Sequence, residues 1–154
     1  MDTKPIKRSE EIAKLSRDHH VSLLFCWKIR NGIKKNAEVL RMKNYVSYFL
    51  SEHMGAHFRE EEDYLFAPVK DEKVQRALDE HIVILNLTDK ILNAGEPEKE
   101  DLLNLAQLVD DHVRYEERIL FPHLENVLSA EQLKEIGKQL PDHLSKDTFE
   151  DKFW

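Results

Sequence analysis

Apolar residues recur along most of the chain at the three- and four-residue spacing of amphipathic α-helices. Turn-forming residues and helix caps divide this pattern into five segments. The predicted helices cover about residues 9–30, 38–66, 71–92 and 97–122, with a short fifth helix that begins at the capping box Ser129–Gln132. Ser9 is expected to cap the first helix, and Asn31 with Gly32 to break the chain after it.

No segment shows the two-residue alternation of a half-buried strand. With 4 glycines and 5 prolines, the chain is also poor in the residues that the tight turns of an all-β protein need. Four long helices with short connections predict an all-α fold, an up-down-up-down four-helix bundle. We expect this bundle to occupy residues 1–128, and residues 129–154 to form a short helix and a tail that pack on the same domain.

Charge and composition exclude several functional classes. The 30 acidic and 23 basic residues give a formal net charge of −7, which argues against nucleic-acid binding. No apolar run approaches the roughly 20 residues that span a bilayer, and the N-terminus lacks an apolar signal segment. The one cysteine, Cys26, cannot form an internal disulfide. These features predict a cytoplasmic protein that binds neither nucleic acid nor membranes, and they leave its oligomeric state open, a homo-oligomer included.

One motif occurs twice, on the predicted second and fourth helices. Residues 57–66 read HFREEEDYLF and residues 112–121 read HVRYEERILF, so both copies have the form HxxxEExxLF. A weaker similarity relates DHHVSLL at residues 18–24 of the first helix to DEHIVIL at residues 79–85 of the third. The two helical hairpins are therefore predicted to be related halves.

Each copy of the motif places a histidine and a glutamate on the apolar face of a helix. Residues four apart lie about 40° apart around the helix axis, so His57 faces the same way as Glu61, and His112 the same way as Glu116. His81 lies at the centre of the apolar face of the third helix. Unpaired carboxylates in a core are costly, and a pair of divalent metal ions bound by these side chains removes that cost. Mixed imidazole and carboxylate ligands suit iron, manganese or zinc.

The ligand on the first helix is ambiguous between His19 and His20. The phase of the apolar face favours His19, whereas the similarity to the third helix aligns His20 with His81 and gives His20 a slight preference. The other histidine is then expected to orient a metal ligand through a hydrogen bond, without binding the metal itself. His53, one turn before His57, is a further candidate ligand or a hydrogen-bond partner of a bridging glutamate.

The remaining polar residues near these positions are expected to play smaller parts. Among residues 60–63 only Glu61 has the inward phase, and the others are predicted to be solvated. Glu117, about 100° around the helix from the glutamate before it, is expected to face outward or to support a ligand. His143 lies in the tail and is not a predicted ligand.

These residues resemble the signature of the hemerythrin-like, or HHE cation-binding, family over about residues 9–125. The two HxxxE motifs and the single histidines on the two other helices carry the resemblance. It implies a four-helix bundle around a non-heme di-iron centre with two iron ions. It further implies bridging and terminal ligands, namely Glu61 and Glu116 as bridges, with His57, His81, His112 and His19 or His20 as terminal ligands.

Two positions depart from the oxygen-carrying hemerythrins. The position four after His81 holds Leu85 where they have a second histidine, and Glu117 stands where they have an aspartate. The chain therefore resembles the broader HHE group, whose members are associated with O2 or NO binding, iron or redox sensing, and repair of iron centres. The resemblance implies a protein that binds a small diatomic ligand as a sensor, scavenger or store. It leaves open a di-iron enzyme, such as a peroxidase, an oxidase or a repair protein, and a structural or iron-sensing metal site.

Overall fold

The computed structural model describes residues 8–141 and 145–154, and every regular element within these ranges is helical. The first helix is Glu10–Lys34 and the third is Glu72–Asn93. The second helix spans residues 39–65 and the fourth spans residues 99–127. A fifth helix, Ala130–Gln139, follows the fourth. The predicted all-α class is confirmed for the described residues.

The second and fourth helices change pitch without ending. The second consists of Val39–Phe49, Leu50–Met54, Gly55–Glu60 and Glu61–Leu65, and the fourth of Lys99–Tyr115, Glu116–Leu120 and Phe121–Val127. The three five-residue segments are π-helical turns, and two of them begin at Glu61 and Glu116. A π-turn holds an extra residue, so it shifts which side chains face the core, and such turns are frequent at functional sites.

These π-turns explain where regular helical spacing fails. That spacing predicts that Ile119 follows Glu116 on the buried face, but Ile119 is exposed and Leu120 is completely buried. In the second helix the buried residue is Met54, where regular spacing points to His53. In both helices the extra residue moves the buried position one place along the chain.

The predicted end of the first helix and the predicted start of the fourth are wrong. The first helix does not break at residues 31 and 32 but continues to Lys34, and the chain then turns at Asn36, whose φ is 60°. Gly32 remains helical, and its missing side chain makes room for Phe153, which a Cβ atom at that position would approach to 2.7 Å. The fourth helix begins at Lys99, two residues later than predicted.

Pro122 does not end the fourth helix, contrary to the prediction. Proline has no N–H to donate, and the N–H of Phe121 donates to the carbonyl of Glu116 across the preceding π-turn. The carbonyl of Glu117 is thereby left without a donor from its own helix, and the guanidinium of Arg8 donates to it instead. This side chain replaces the missing backbone donor, and the helix continues beyond the proline.

One predicted helix cap is confirmed and another is not. Ser129 and Gln132 form the reciprocal capping box at the start of the fifth helix. Ser9 occupies the N-cap position of the first helix, but its side chain accepts no capping bond. Its backbone N–H donates to the carboxylate of Glu125 on the fourth helix, which ties the two helices together at this end.

The apolar core forms two clusters, and the predicted site residues lie in the region where these clusters adjoin. On the first helix, for example, His19 lies between Leu15 of one cluster and Phe25 of the other. The first helix packs mainly against the fourth, and the third also packs against the fourth. The helices thus bring a polar centre together inside an otherwise apolar interior.

The chain that follows the fourth helix packs back on the preceding helices. The fifth helix lies against the first, where Gly137 allows a close approach to Glu11. Residues 145–154 dock on the first and second helices, with the rings of Phe149 and Phe153 5.0 and 5.4 Å from that of Tyr45. The tail therefore adds to one of the apolar clusters.

Candidate metal centre

Two glutamates stand at the centre of the bundle, Glu61 on the second helix and Glu116 on the fourth. Both side chains are completely buried. The HxxxE spacing places a histidine one turn before each of them. His57 Nε2 lies 3.4 Å from Glu61 Oε2, and His112 Nε2 lies 3.3 Å from Glu116 Oε2.

The first and third helices each add one buried histidine to these carboxylates. His19 Nε2 lies 2.9 Å from Glu116 Oε1, and His81 Nε2 lies 3.1 Å from Glu61 Oε1. His81 Nε2 is also 3.1 Å from His112 Nε2, so two imidazole nitrogens from different helices face each other. One nitrogen of each of the four histidines is thus directed at a glutamate oxygen.

These six side chains form two overlapping groups, each of which is able to hold a metal ion. Within a group, one donor atom from each residue lies within 4.8 Å of all the others. The two groups are His19, His57, Glu61 and Glu116, and Glu61, His81, His112 and Glu116. The glutamates belong to both groups, which is the arrangement of carboxylates that bridge two ions.

A second carboxylate holds each of the four imidazoles from behind. The pairs and their nitrogen–oxygen distances are His19 Nδ1–Glu117 at 2.9 Å, His57 Nδ1–Asp18 at 3.2 Å, His81 Nδ1–Glu62 at 2.6 Å and His112 Nδ1–Glu80 at 2.7 Å. An acidic partner makes Nδ1–H the donor, so the lone pair of Nε2 points at the centre. Metal-binding histidines are commonly oriented in this way.

The same contacts occur in both hairpins. Asp18 and His19 on the first helix correspond to Glu80 and His81 on the third, and the two HxxxEE motifs correspond to each other. The acid before each single histidine holds the histidine of the motif in its own hairpin, whereas the second glutamate of each HxxxEE motif holds the single histidine of the other hairpin. The related halves predicted from the repeat are therefore also visible in the side-chain contacts.

The structure corrects the preference for His20. His20 is exposed and belongs to neither group, whereas His19 is buried and belongs to one of them. The phase of the apolar face is the better guide, because the rotation of a helix about its axis decides which side chain is buried. The residue-by-residue similarity that aligns His20 with His81 is out of register by one position.

Three other residues near the motif also differ in their placement. His53 belongs to neither group, and its Nε2 forms a hydrogen bond with the Tyr48 hydroxyl at 3.0 Å. Glu60, which was predicted to be solvated, is buried and accepts a hydrogen bond from Lys14 at 2.7 Å. His143, predicted to lie in the tail away from the ligands, is outside the described residues.

Sequence reasoning missed three of the four supporting carboxylates. They are Asp18, Glu62 and Glu80, while Glu117 takes the supporting role that was one of its two predicted outcomes. Each of the four is the chain neighbour of a residue in the two groups. This adjacency, present in both halves of the repeat, is the pattern that could have identified them.

Burial and nearby charges shift the pKa values at the centre. Burial and the negative charge of Glu116 raise the pKa of Glu61. Burial alone would also raise the pKa of Glu116, but His112 and His19 hold it well below its usual value. Burial alone would lower the pKa of His112, yet Glu116 and Glu80 raise it. The centre thus favours a bound positive charge, which a metal ion can supply in place of protons.

Four buried polar atoms at the centre have no hydrogen-bond partner among the described residues. They are His57 Nε2, both oxygens of Glu61, and Glu116 Oε2. Native proteins rarely leave buried polar atoms without a hydrogen-bond partner. Where such atoms occur, a functional role, a water molecule or an ion usually accounts for them. The atoms are of the types that bind transition metals, so the residues present fit a metal ion.

Aromatic rings flank the imidazoles and keep the centre dry. The Phe58 ring stacks on His81 with centroids 3.8 Å apart and planes 9° apart. The Phe121 ring stacks on His19 with centroids 5.3 Å apart. These rings cover the imidazole faces, and a dry surrounding strengthens the electrostatic attraction between buried ligands and a cation.

A helical protein whose centre holds two overlapping groups of histidine and glutamate belongs to the class of metal-binding helical bundles. The family model of the hemerythrin HHE cation binding domain matches residues 10–124. The chain belongs to this family, and the resemblance inferred from the paired motifs is confirmed. No curated protein and no solved structure matches the chain. Among the helices of residues 8–141 and 145–154, none has both the length and the apolar character needed to cross a bilayer.

Proposed function

We propose that this chain is a non-heme di-iron protein that binds O2, NO or a related small ligand as a sensor, scavenger or store. The observation that carries the proposal is the buried Glu61 carboxylate. Its Oε2 faces His57, its Oε1 faces His81, and neither oxygen has a hydrogen-bond partner within residues 8–141 and 145–154. A carboxylate with one oxygen directed at each group is placed to bridge two ions.

The donor set supports iron with positions left for a ligand. Each group offers two imidazole nitrogens and two shared carboxylates. Four protein donors complete a tetrahedral zinc site, whereas iron and manganese accept further ligands. When bound, iron supplies the redox-active centre that O2 or NO requires. The protein's own residues hold the ions in place and, through their supporting carboxylates, fix the orientation of each imidazole.

A small cavity beside the centre supports a diatomic ligand. Its volume is about 10 Å³, and it is lined by His19, His57 and His112 together with mostly apolar side chains. That volume corresponds to about one water molecule. A cavity of this size and polarity suits O2 or NO and excludes larger organic substrates.

The up-down-up-down order of the four long helices is part of the proposal. The connections between them are short, at residues 35–38, 66–71 and 94–98. Short connections favour antiparallel neighbours. In that order each hairpin contributes one HxxxE motif and one single histidine to a shared centre.

The test is anaerobic reconstitution with Fe(II), followed by metal analysis and optical spectra before and after adding O2, NO or azide. The proposal predicts about two iron ions per chain and a visible-region change with each ligand. Two ions without any response contradict small-ligand binding and indicate a structural or iron-sensing site. Failure to bind iron, with uptake of manganese or zinc instead, contradicts the di-iron assignment. Turnover of peroxide with a reductant indicates an enzyme.

A cavity-filling variant separates ligand binding from metal binding. Val113 lines the cavity, and Val113→Leu adds a methylene where only about 10 Å³ is free. We expect unchanged iron content and a weaker spectral response to O2 and NO. The matched control is Val127→Leu, the same change at an exposed position of the same helix. An unchanged response in Val113→Leu contradicts the assignment of this cavity to the ligand.

A further inference from the structure

The two histidine pairs of the centre repeat the same contacts but are secured differently. We call His19 and His57 the first pair, and His81 and His112 the second pair. The supporting carboxylates are Asp18 and Glu117 for the first pair, and Glu80 and Glu62 for the second. The two pairs occupy equivalent places in the repeat. A difference in their support is therefore a difference in how firmly each holds an ion.

Asp18 of the first pair is anchored by a buried lysine. Its carboxylate lies 3.6 Å from Lys14 Nζ, and Lys14 is itself buried and paired with Glu60 at 2.7 Å. The Asp18 side chain is only 9% exposed, so this support for His57 has little room to move.

Glu117, the other support of the first pair, is also held by residues other than its histidine. The Ser16 hydroxyl lies 2.7 and 2.9 Å from the two Glu117 oxygens, and Arg8 lies 3.7 Å from one of them. Glu117 therefore stays in position even when the imidazole moves.

The counterpart of Glu117 in the second pair lacks such an anchor. Where the first helix has Ser16, the equivalent position of the third helix is Leu78, which has no hydroxyl. Among the described residues, His81 is the one hydrogen-bond partner of the Glu62 carboxylate. The Glu62 side chain is 41% exposed, against 24% for Glu117.

The counterpart of Asp18 in the second pair is held more weakly. Glu80 pairs with Arg76, which stands where the first helix has Lys14, and the nitrogen–oxygen distance is 3.0 Å. The Arg76 side chain is 58% exposed where that of Lys14 is 9% exposed. Glu80 is 29% exposed. Exposed ion pairs of this kind contribute little, so solvent competes readily for Glu80.

Two clefts in the surface are lined by the supporting carboxylates of the second pair, and one of them also by a histidine of that pair. One, of about 410 Å³ between the third and fourth helices, is lined by His112 itself and by Glu80. Another, of about 590 Å³, is lined by Glu62 and Leu78. A cleft of about 480 Å³ near the first pair is lined by Lys14 but by neither of that pair's supporting carboxylates.

We propose that the ion bound by the second pair is the exchangeable one, whereas the ion bound by the first pair is retained. Exchange runs through the cleft between the third and fourth helices, which is lined by the partly exposed Glu80 and by the buried His112 behind it. When the Glu80 side chain rotates into this cleft, His112 loses the hydrogen bond that orients its ring. The bond between His112 and the ion is then weakened, and the ion can leave. The inference rests on the two-ion centre proposed above.

The test is the rate at which fully loaded protein loses metal to a chelator. Zn²⁺ is the probe because it undergoes no oxidation, and a colour-forming chelator in excess reports its release. We expect two phases of equal amplitude, one ion in each, with rates about tenfold or more apart. In a crystal depleted of half its zinc, anomalous scattering should locate the remaining ion at the first pair.

Equivalent substitutions in the two halves assign the phases. Glu80→Gln should accelerate the fast phase by about tenfold and leave the slow phase unchanged. Asp18→Asn, the equivalent change, should accelerate the slow phase. Ser16→Ala should do the same without altering any residue that touches a metal-binding imidazole, so it remains informative if Asp18→Asn misfolds.

Some outcomes overturn the inference. Release of both ions in a single phase contradicts it, as does a remaining ion at the second pair. Acceleration of the slow phase by Glu80→Gln contradicts it as well. Failure to bind two ions is a different result, visible in the metal content before any chelator is added. It overturns the proposed function together with this inference, whereas equal release rates overturn this inference alone.

Discussion

At the scale of single residues, two neighbouring histidines have opposite environments. His19 is buried, and each of its ring nitrogens lies 2.9 Å from a carboxylate oxygen, Nε2 from Glu116 and Nδ1 from Glu117. His20 is exposed one position later. Adjacent residues of a helix point about 100° apart, so only one of two consecutive histidines can reach the centre.

Replacement of each histidine tests this difference. His19→Ala should lower metal affinity by about tenfold or more, because it removes a buried imidazole donor that other helices hold in place. His20→Ala is the matched control and should leave metal affinity unchanged. Isothermal titration of the metal-free proteins measures both. A loss of affinity in His20→Ala equal to that in His19→Ala contradicts the assignment of His19.

At the scale of elements, a side chain outside the fourth helix lets that helix pass a proline. Pro122 and the π-turn before it leave the Glu117 carbonyl without a helical donor, and Arg8 supplies one. Arg8 also pairs with Glu125 at 3.1 Å, so the start of the first helix is fastened to the fourth. The continuity of the fourth helix therefore depends on a side chain that lies just before the first helix.

A double-mutant cycle on Arg8 and Pro122 tests this account. Arg8→Ala should destabilise the protein by about 1–2 kcal/mol, since it leaves a carbonyl unsatisfied and breaks an ion pair. Pro122→Ala restores a backbone N–H, so Arg8→Ala should cost about 1 kcal/mol less in that background. Urea unfolding of the four proteins gives the coupling energy. Additive effects contradict the proposed replacement of a backbone donor by Arg8.

The C-terminal tail is the second feature at this scale, and Asp147 is its main polar anchor. The Asp147 carboxylate accepts hydrogen bonds from the Tyr45 hydroxyl and from Lys28, whose Nζ lies 3.0 Å away. Asp147→Asn should cost about 1–3 kcal/mol of unfolding free energy, because charge-assisted bonds in a buried place are lost. Asp151→Asn is the control and should cost much less, because its partner Arg41 is exposed. Equal losses contradict the anchoring role.

The contribution of Asp147 also has a defined pH dependence. Burial alone would raise the pKa of Asp147, but hydrogen bonds from Tyr45, a backbone N–H and Lys28 lower it below the ordinary value of 3.8. A lowered pKa stabilises the folded state above the unfolded pKa, and this stabilisation is lost as the pH falls through the folded one. The difference in stability between wild type and Asp147→Asn should therefore shrink below about pH 4. Urea unfolding at pH 3 and pH 6 measures it.

At the scale of the whole molecule, a polar centre divides the apolar core. The two clusters of buried apolar residues lie on either side of the histidines and glutamates. Buried carboxylates without partners are costly, so the metal-free protein carries an unfavourable term that a bound cation removes. Metal binding should therefore be coupled to the stability of the entire bundle.

Removal of metal tests this coupling. A ligand present at 1,000 times its Kd stabilises a folded protein by about 4 kcal/mol, which raises the Tm of a chain of this size by about 10 °C. Treatment with a chelator should lower the Tm by a similar amount. Glu61→Gln removes a completely buried negative charge from the centre, so its Tm should respond much less to the chelator. A wild-type Tm that is unaffected by both chelator and metal contradicts the coupling.

Much of the fold follows from local pattern, and the failures have identifiable physical causes. Apolar spacing predicts the helical class and all five helices. It fails at Ile119, where a π-turn adds a residue, and at Pro122, where Arg8 replaces a missing donor. It also fails at Gly32, where contact with the tail favours a continuous helix. In the last two cases the decisive group is distant in sequence, so a local pattern cannot contain it.

The sequence by itself determined which residues are available to bind metal. The HxxxE spacing puts a histidine and a glutamate on one helix face whatever surrounds the helix, and the repeat marks two such faces. Only the tertiary structure decided that His19 rather than His20 joins the glutamates at the centre, because packing sets the rotation of the first helix about its axis. It also decided which acid supports which imidazole, as in the contact between Asp18 and His57. That contact joins different helices, and local periodicity carries no information on distances between helices.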